Sequence, residues 1–120
     1  MTGMIGKTPQ LDMLSQLLDA VTLRHSVIAQ NIANLNTPNY HCLQVSFESE
    51  LGQALSESES VSGITTQISE TTDGTARPDG NTVDIDEQLG LLTKNAMMAS
   101  AATQFLASQI SQLRSAITGR

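Results

Sequence analysis

Asn31-Ile32-Ala33-Asn34-Leu35-Asn36-Thr37-Pro38-Asn39-Tyr40 closes a heptad line that runs Leu11, Leu14, Leu18, Val21, His25, Ile28, Ile32, Leu35. Steps of three and four hold those side chains on one face of a helix. Upstream, Thr8 is placed to cap the first turn. Pro9 suits the first helical position, where its missing N–H costs nothing. Asp12 and Asp19 lie toward the positive end of the helix dipole. Downstream, Thr37-Pro38 stops the helix, because a residue before proline is pushed out of the α region. Thr37-Pro38-Asn39-Tyr40 then reads as a β-turn with proline second and asparagine third. The stretch predicts an N-terminal helix within residues 8–36, about 37 Å long.

A second heptad ends the chain. Asp84 as N-cap with Glu87 behind it makes a capping box. The seam that follows is Ile85, Leu89, Leu92, Ala96, Ala99, Thr103, Leu106, Ile110, Leu113, Ile117. Its centre is small, so a partner helix can approach closely there. A second row, Leu91, Met98 and Phe105, points roughly 130° away, which calls for more than one neighbour. This C-terminal helix is predicted over 84–118.

Between them, residues 37–83 are different in kind. Ser46 to Leu55 is predicted as a short helix with Phe47, Leu51 and Leu55 on one face. A Ser/Thr/Gly-rich tract reaches Asn81. Such a composition offsets little chain entropy by burial and reads as a mobile or partner-ordered loop. Alternation of Ile64, Thr66 and Ile68 allows a short strand, and Arg77-Pro78-Asp79-Gly80-Asn81 is a turn. The expected fold is all-α and a single domain: long terminal helices pairing as an antiparallel coiled coil around a flexible middle.

Composition narrows the function. The 120 residues include no Trp, one Tyr and two Phe, so the core is thin in large rings. Net charge is −6, and ten of the twelve acidic residues lie between Glu48 and Glu87, where Arg77 is the only base. From Gln88 to Arg120 there is no acidic residue. No basic patch supports binding to nucleic acid or to an anionic membrane surface. Cys42 is the only cysteine, which excludes an internal disulfide. Residues 1–10 have no apolar core of a cleaved signal peptide, and Asn95–Leu113 is too polar to span a bilayer alone.

Chemistry-bearing residues are sparse. His25 sits in a helical seam. His41 adjoins Cys42, but sequence neighbours in a loop seldom face each other as a catalytic dyad. The acidic residues at Glu57–Glu59 and Asp84–Glu87 lack the ligand alternation and turn glycine of a calcium loop. No phosphate loop, zinc spacing or nucleophile elbow is present. No catalytic residue, cofactor, metal or small-molecule substrate is expected. Asn31 and Asn34 leave two readings open: capping of helix-end carbonyls, or a bridge to an adjacent chain.

The motif Asn31, Ile32, Ala33, Asn34, Thr37, Pro38, Tyr40 resembles that of the bacterial flagellar axial proteins, whose N-terminal helix ends Asn-Ile-Ala-Asn-x-x-Thr-Pro-x-Tyr. Within that group the chain is similar to the proximal-rod type of basal-body subunit. Val45-Ser46-Phe47, Pro78 to Asp84 and Leu113 to Arg120 match that type's shorter segments. His41-Cys42-Leu43-Gln44, the tract 56–76 and Met97-Met98-Ala99 depart from it. The resemblance implies a structural subunit and not an enzyme, made in the cytoplasm and exported by the flagellar type III apparatus without a cleaved signal. It implies assembly in the periplasmic rod with copies of itself, other rod subunits, and basal-body ring and export-gate components. The alternative is a soluble coiled-coil adaptor or secretion-associated helical protein. The implied assembly seams are Leu11, Leu14, Leu18, Val21, Ile28, Ile32 and Leu35 on the first helix, and Ile85, Leu89, Leu92, Ala96, Ala99, Leu106, Ile110, Leu113 and Ile117 on the last.

Overall fold

A computed structural model describes residues 9–57, 65–71 and 74–119. Helix α1 (Pro9–Ala33) is followed by strand β1 (Leu43–Ser46), helix α2 (Glu48–Glu57), strand β2 (Gln67–Glu70) and helix α3 (Ile85–Thr118). The expected Thr8 cap and Ile64 lie outside the described residues, as does the side chain of Leu55. The two long helices pack antiparallel: Asn31 near the end of α1 meets Gln88 near the start of α3, and Val21 further back meets Asn95. The molecule is correspondingly elongated, 63 × 27 × 22 Å.

The ends of α3 follow local chemistry. Asp84 is extended (φ −105°, ψ 113°), and its Oδ1 accepts the amides of Asp86 at 3.0 Å and Glu87 at 3.4 Å. These are orphan donors of the first turn, and a carboxylate also answers the positive helix end. At the far end Gly119 turns left-handed (φ 70°) and gives its N–H to the Ser115 carbonyl at 2.8 Å.

Helix α1 ends at Ala33 by tightening. The Asn34 amide is shared between the carbonyls of Gln30 and Asn31, at 3.1 and 3.2 Å, and Leu35 N–H reaches only to Ile32. The chain then turns at Pro38-Asn39. Tyr40 N–H donates to Thr37, and Asn39 takes φ 61°, as the third position of a type II turn requires.

The middle carries more order than its composition suggests. β2 pairs antiparallel with β1, Leu43 opposite Glu70 and Ser46 opposite Gln67. Residues 77–84 lie against the end of α1, held by Asn39 N–H on the Asp79 carbonyl at 2.9 Å and Thr82 N–H on Tyr40 at 3.1 Å. Polar groups, not apolar area, anchor this stretch, which is why its hydropathy reads as a loop.

The core sits where α1, β1 and α3 meet. Ala20, Val21, Val27, Val45 and Phe47 are buried, and Leu17, Leu23, Leu51, Met98 and Ala99 pack against them. Phe47 is the largest fully buried side chain, and the Arg24 guanidinium lies 4.4 Å from its ring centroid. Arg24 also donates to the Val45 carbonyl at 2.7 Å and pairs with Glu48 at 2.5 Å. Burial pushes the Glu48 carboxyl up, but hydrogen bonds from the Phe47 amide and Arg24, with the Arg24 charge, more than reverse this and hold it below its ordinary value.

Candidate assembly surfaces

The motif asparagines work inside the chain. Asn31 is fully buried, and its amide satisfies all four of its bonds. Nδ2 donates to the Leu43 carbonyl at 2.8 Å and to Gln88 Oε1 at 2.9 Å. Oδ1 accepts the Leu43 amide at 3.0 Å and the Tyr40 hydroxyl at 3.1 Å. Asn31 therefore treats Leu43 as a neighbouring strand would, taking both its N–H and its C=O. It ties α1, β1 and α3 at one point. Asn34 returns Nδ2 to the Gln30 carbonyl and accepts the Thr37 hydroxyl on Oδ1, a local cap.

The carbonyls freed by the end of α1 are met from the opposite side. Asn81, also fully buried, donates Nδ2 to Asn34 at 2.9 Å and Thr37 at 2.8 Å, and its Oδ1 accepts the Val83 amide at 2.8 Å. Arg77 bonds the Leu35 carbonyl. Gly80 turns the chain between them at φ 83°; a Cβ there would lie 2.3 Å from Asn39 Oδ1. Sequence reading singled out Asn31 and Asn34 and gave Gly80 and Asn81 only a place in the Arg77–Asn81 turn, with no partner at the end of α1. The signal for those two was the Asp79-Gly80-Asn81 turn chemistry itself.

Tyr40 and Cys42 flank this knot. Burial raises both the Tyr40 phenol and the Cys42 thiol above their ordinary values. Cys42 Sγ accepts from Gln88 Nε2 at 3.3 Å. His41 and His25 are exposed.

The seams divide in a regular way. On α3 the positions turned toward α1 are Ile85, Gln88, Leu92, Asn95, Ala99, Ala102, Leu106, Gln109 and Leu113, all buried or half-buried at steps of three and four. Ile85, Leu92, Ala99, Leu106 and Leu113 of the expected seam belong to this line. Leu89, Ala96, Ile110 and Ile117 do not: they form an exposed flank, with Ile110 at 46% and Ile117 at 67%. Leu91, Met97 and Phe105 are further large exposed side chains on the same helix. Met98, from the expected second row, packs on the core.

The same rotation occurs on α1. Leu14, Val21, Ile28 and Asn31 are buried, and Leu17 and Arg24 on the same line are half-buried. Leu11, Leu18, Ile32 and Leu35 are half-buried, and Thr37 and Pro38 are exposed at the turn. In both helices the inward line includes polar residues that an apolar pattern skips. Asn31, Gln88 and Asn95 are buried because each has a specific partner across the helix pair: Asn95 Nδ2 donates to the Val21 carbonyl at 2.9 Å, as Gln88 accepts from Asn31.

Among the described residues no cluster of His, Cys, Asp and Glu is arranged to hold a metal. No described helix is long and apolar enough to cross a membrane. Two helices self-paired through one face, with a second apolar flank on the longer one, define a helical subunit with surface to share. No known family model matches the chain. It is, however, 33% identical over 108 residues to the flagellar basal body rod protein FlgB of Borreliella burgdorferi, covering 73% of this chain and 80% of that protein. It is 33% identical over 117 residues to FlgB of Borrelia hermsii, covering 81% and 87%, and 27% identical to FlgB of Bacillus subtilis, covering 88% and 91%. The chain belongs to the FlgB family of flagellar basal body rod proteins. It is a structural rod subunit, not an enzyme.

Proposed function

We propose that this chain builds the proximal part of the rod by sharing helix faces between subunits. The Leu89–Ile110–Ile117 flank of α3 is its main seam, and Leu11, Leu18, Ile32 and Leu35 on α1 form the complementary border. The observation that carries the reading is that the exposed flank remains after the α1–α3 pair has closed. Burying such side chains between copies contributes about 1.5–3 kcal/mol each, gained only on assembly. Its partners on this reading are copies of itself, other rod subunits, and the ring and export-gate components around the rod base. It reaches them by type III export. Substituting Ile110→Asp tests this. The variant is expected to fold and be exported, yet be missing from isolated basal bodies and leave cells non-motile. Normal swimming would remove the seam from the proposal.

A further inference from the structure

Strand β2 has one edge paired and one edge open. Thr71 N–H donates to the Cys42 carbonyl at 2.9 Å, one step beyond the Leu43–Glu70 pair. Hydrogen-bonded and non-hydrogen-bonded pairs alternate along an antiparallel ladder. Gln67 and Ser69 therefore turn their peptide groups toward β1, while Ile68 and Glu70 turn theirs away. The same alternation aims Leu43 and Val45 outward from β1, and that side is taken. Asn31 holds the Leu43 N–H and C=O, and Arg24 holds the Val45 carbonyl. On β2, no described residue bonds the outward N–H and C=O of Ile68 or Glu70.

The side chains leave the same edge unfinished. Ile68 stands opposite Val45, yet Val45 is 6% exposed and Ile68 is 51% exposed. Both lie on the sheet face turned to the core, so that face runs on past its cover. All four residues of β2 are exposed. A two-stranded sheet is marginal in water, and an open edge with an apolar side chain is a template for a further strand. Glu70, on the same face as Ile68, has no ion-pair partner among the described residues. From Leu43 to Ala76 the sequence has six acidic residues and no basic one. Arg24, which reaches this segment from α1, is already paired with Glu48. Lys94 faces the groove beside β1, whose lining includes none of residues 67–70.

We infer that the open edge of β2 receives an extended, basic segment of another protein as a third strand. In an antiparallel fit, the incoming residue opposite Ile68 is aliphatic. The residue opposite Glu70, two positions earlier, is lysine or arginine. Both turn their N–H and C=O to β2, so main-chain bonds supply affinity and these two side chains select the partner. The β2 of a second copy is the wrong occupant, because it sets one acidic, base-free segment against another. The edge is separate from the Leu89–Ile110–Ile117 flank, so this contact goes beyond the rod seam and does not depend on it.

The probe is an acetylated and amidated peptide, Ser-Lys-Thr-Val-Thr-Lys-Ser, titrated into the isotope-labelled full chain and followed by amide NMR. The Ile68 and Glu70 signals are expected to shift and saturate. N-methylation of the valine removes an N–H that faces β2 and is expected to weaken binding about tenfold. N-methylation of the threonine before it, whose N–H faces away, is expected to change binding less than about threefold. Glu70→Lys is expected to weaken binding about fivefold, and a peptide with glutamates for its lysines to restore it, which a folding defect would not allow. Ile110→Asp is expected to bind the peptide as the parent does, which separates loss of this contact from loss of rod assembly. No shift at the two amides, or equal binding by the two methylated peptides, overturns the inference. So does a shift of these amides with protein concentration alone, which marks a second copy as the occupant.

Discussion

Asn31 connects three elements because its primary amide offers two N–H donors and two acceptor lone pairs, all matched. Removing it strands the Leu43 amide and carbonyl, the Tyr40 hydroxyl and the Gln88 amide in a buried site. Asn31→Ala is expected to lower stability by about 3 kcal/mol, read from urea unfolding of the full chain. Glu48 acts differently, through charge. Its folded pKa lies below its ordinary value, so its contribution is present above the normal carboxylate range and is lost as pH falls through the folded value. The Glu48 side chain is 52% exposed, and solvent screening keeps the effect within about 1 kcal/mol. Glu48→Gln should therefore be slightly less stable than the parent at pH 7. The gap should close below about pH 4 in a series of urea midpoints. Cys42, buried with a raised thiol, should react with a maleimide only as fast as the chain unfolds.

Two glycines separate the needs of a turn from those of a helix. Gly80 combines φ 83° with a neighbour 2.3 Å from any added Cβ. Gly80→Ala is expected to cost about 1–3 kcal/mol and to loosen residues 77–84 from the end of α1, visible as faster amide exchange at Asn39 and Thr82. Gly90, inside α3, has nothing within 4 Å of such a Cβ. Gly90→Ala should stabilise the chain by about 0.5–1 kcal/mol and raise its Tm, because helix interiors favour alanine. Helix α3 itself was fully legible before the fold: the Asp84 cap and the periodicity lead to Ile85–Thr118. Strand β1 was not, since Leu43–Ser46 is short and takes its partners from β2 and from the α1 side chains Asn31 and Arg24.

Across the whole molecule, burial separates the heptad positions that hold the fold from those left on its surface. Ile28 is 3% exposed and Ile110 is 46% exposed, though both fall on heptad lines. Ile28→Asp should unfold the isolated chain, a loss above about 4 kcal/mol, because an unpaired carboxylate enters the core. Circular dichroism of Ile28→Asp against Ile110→Asp checks the distinction: only the first is expected to lose its helical signal. Sequence alone determined that two long amphipathic helices exist, where α3 is capped, that charge separates along the chain, and that the Asn31–Tyr40 motif is axial in type. Helical periodicity and capping are local, so one chain read in order contains them. The tertiary structure alone decided which line of each helix turns inward. Apolar spacing favoured Leu89, Ala96 and Ile110, but the packed line runs through Gln88, Asn95 and Gln109. A polar side chain becomes a core residue only when its hydrogen-bond partner arrives, and for Gln88 that partner is Asn31, 57 positions away. The same pairing leaves Ile110 and Ile117 outside, on the exposed flank of α3.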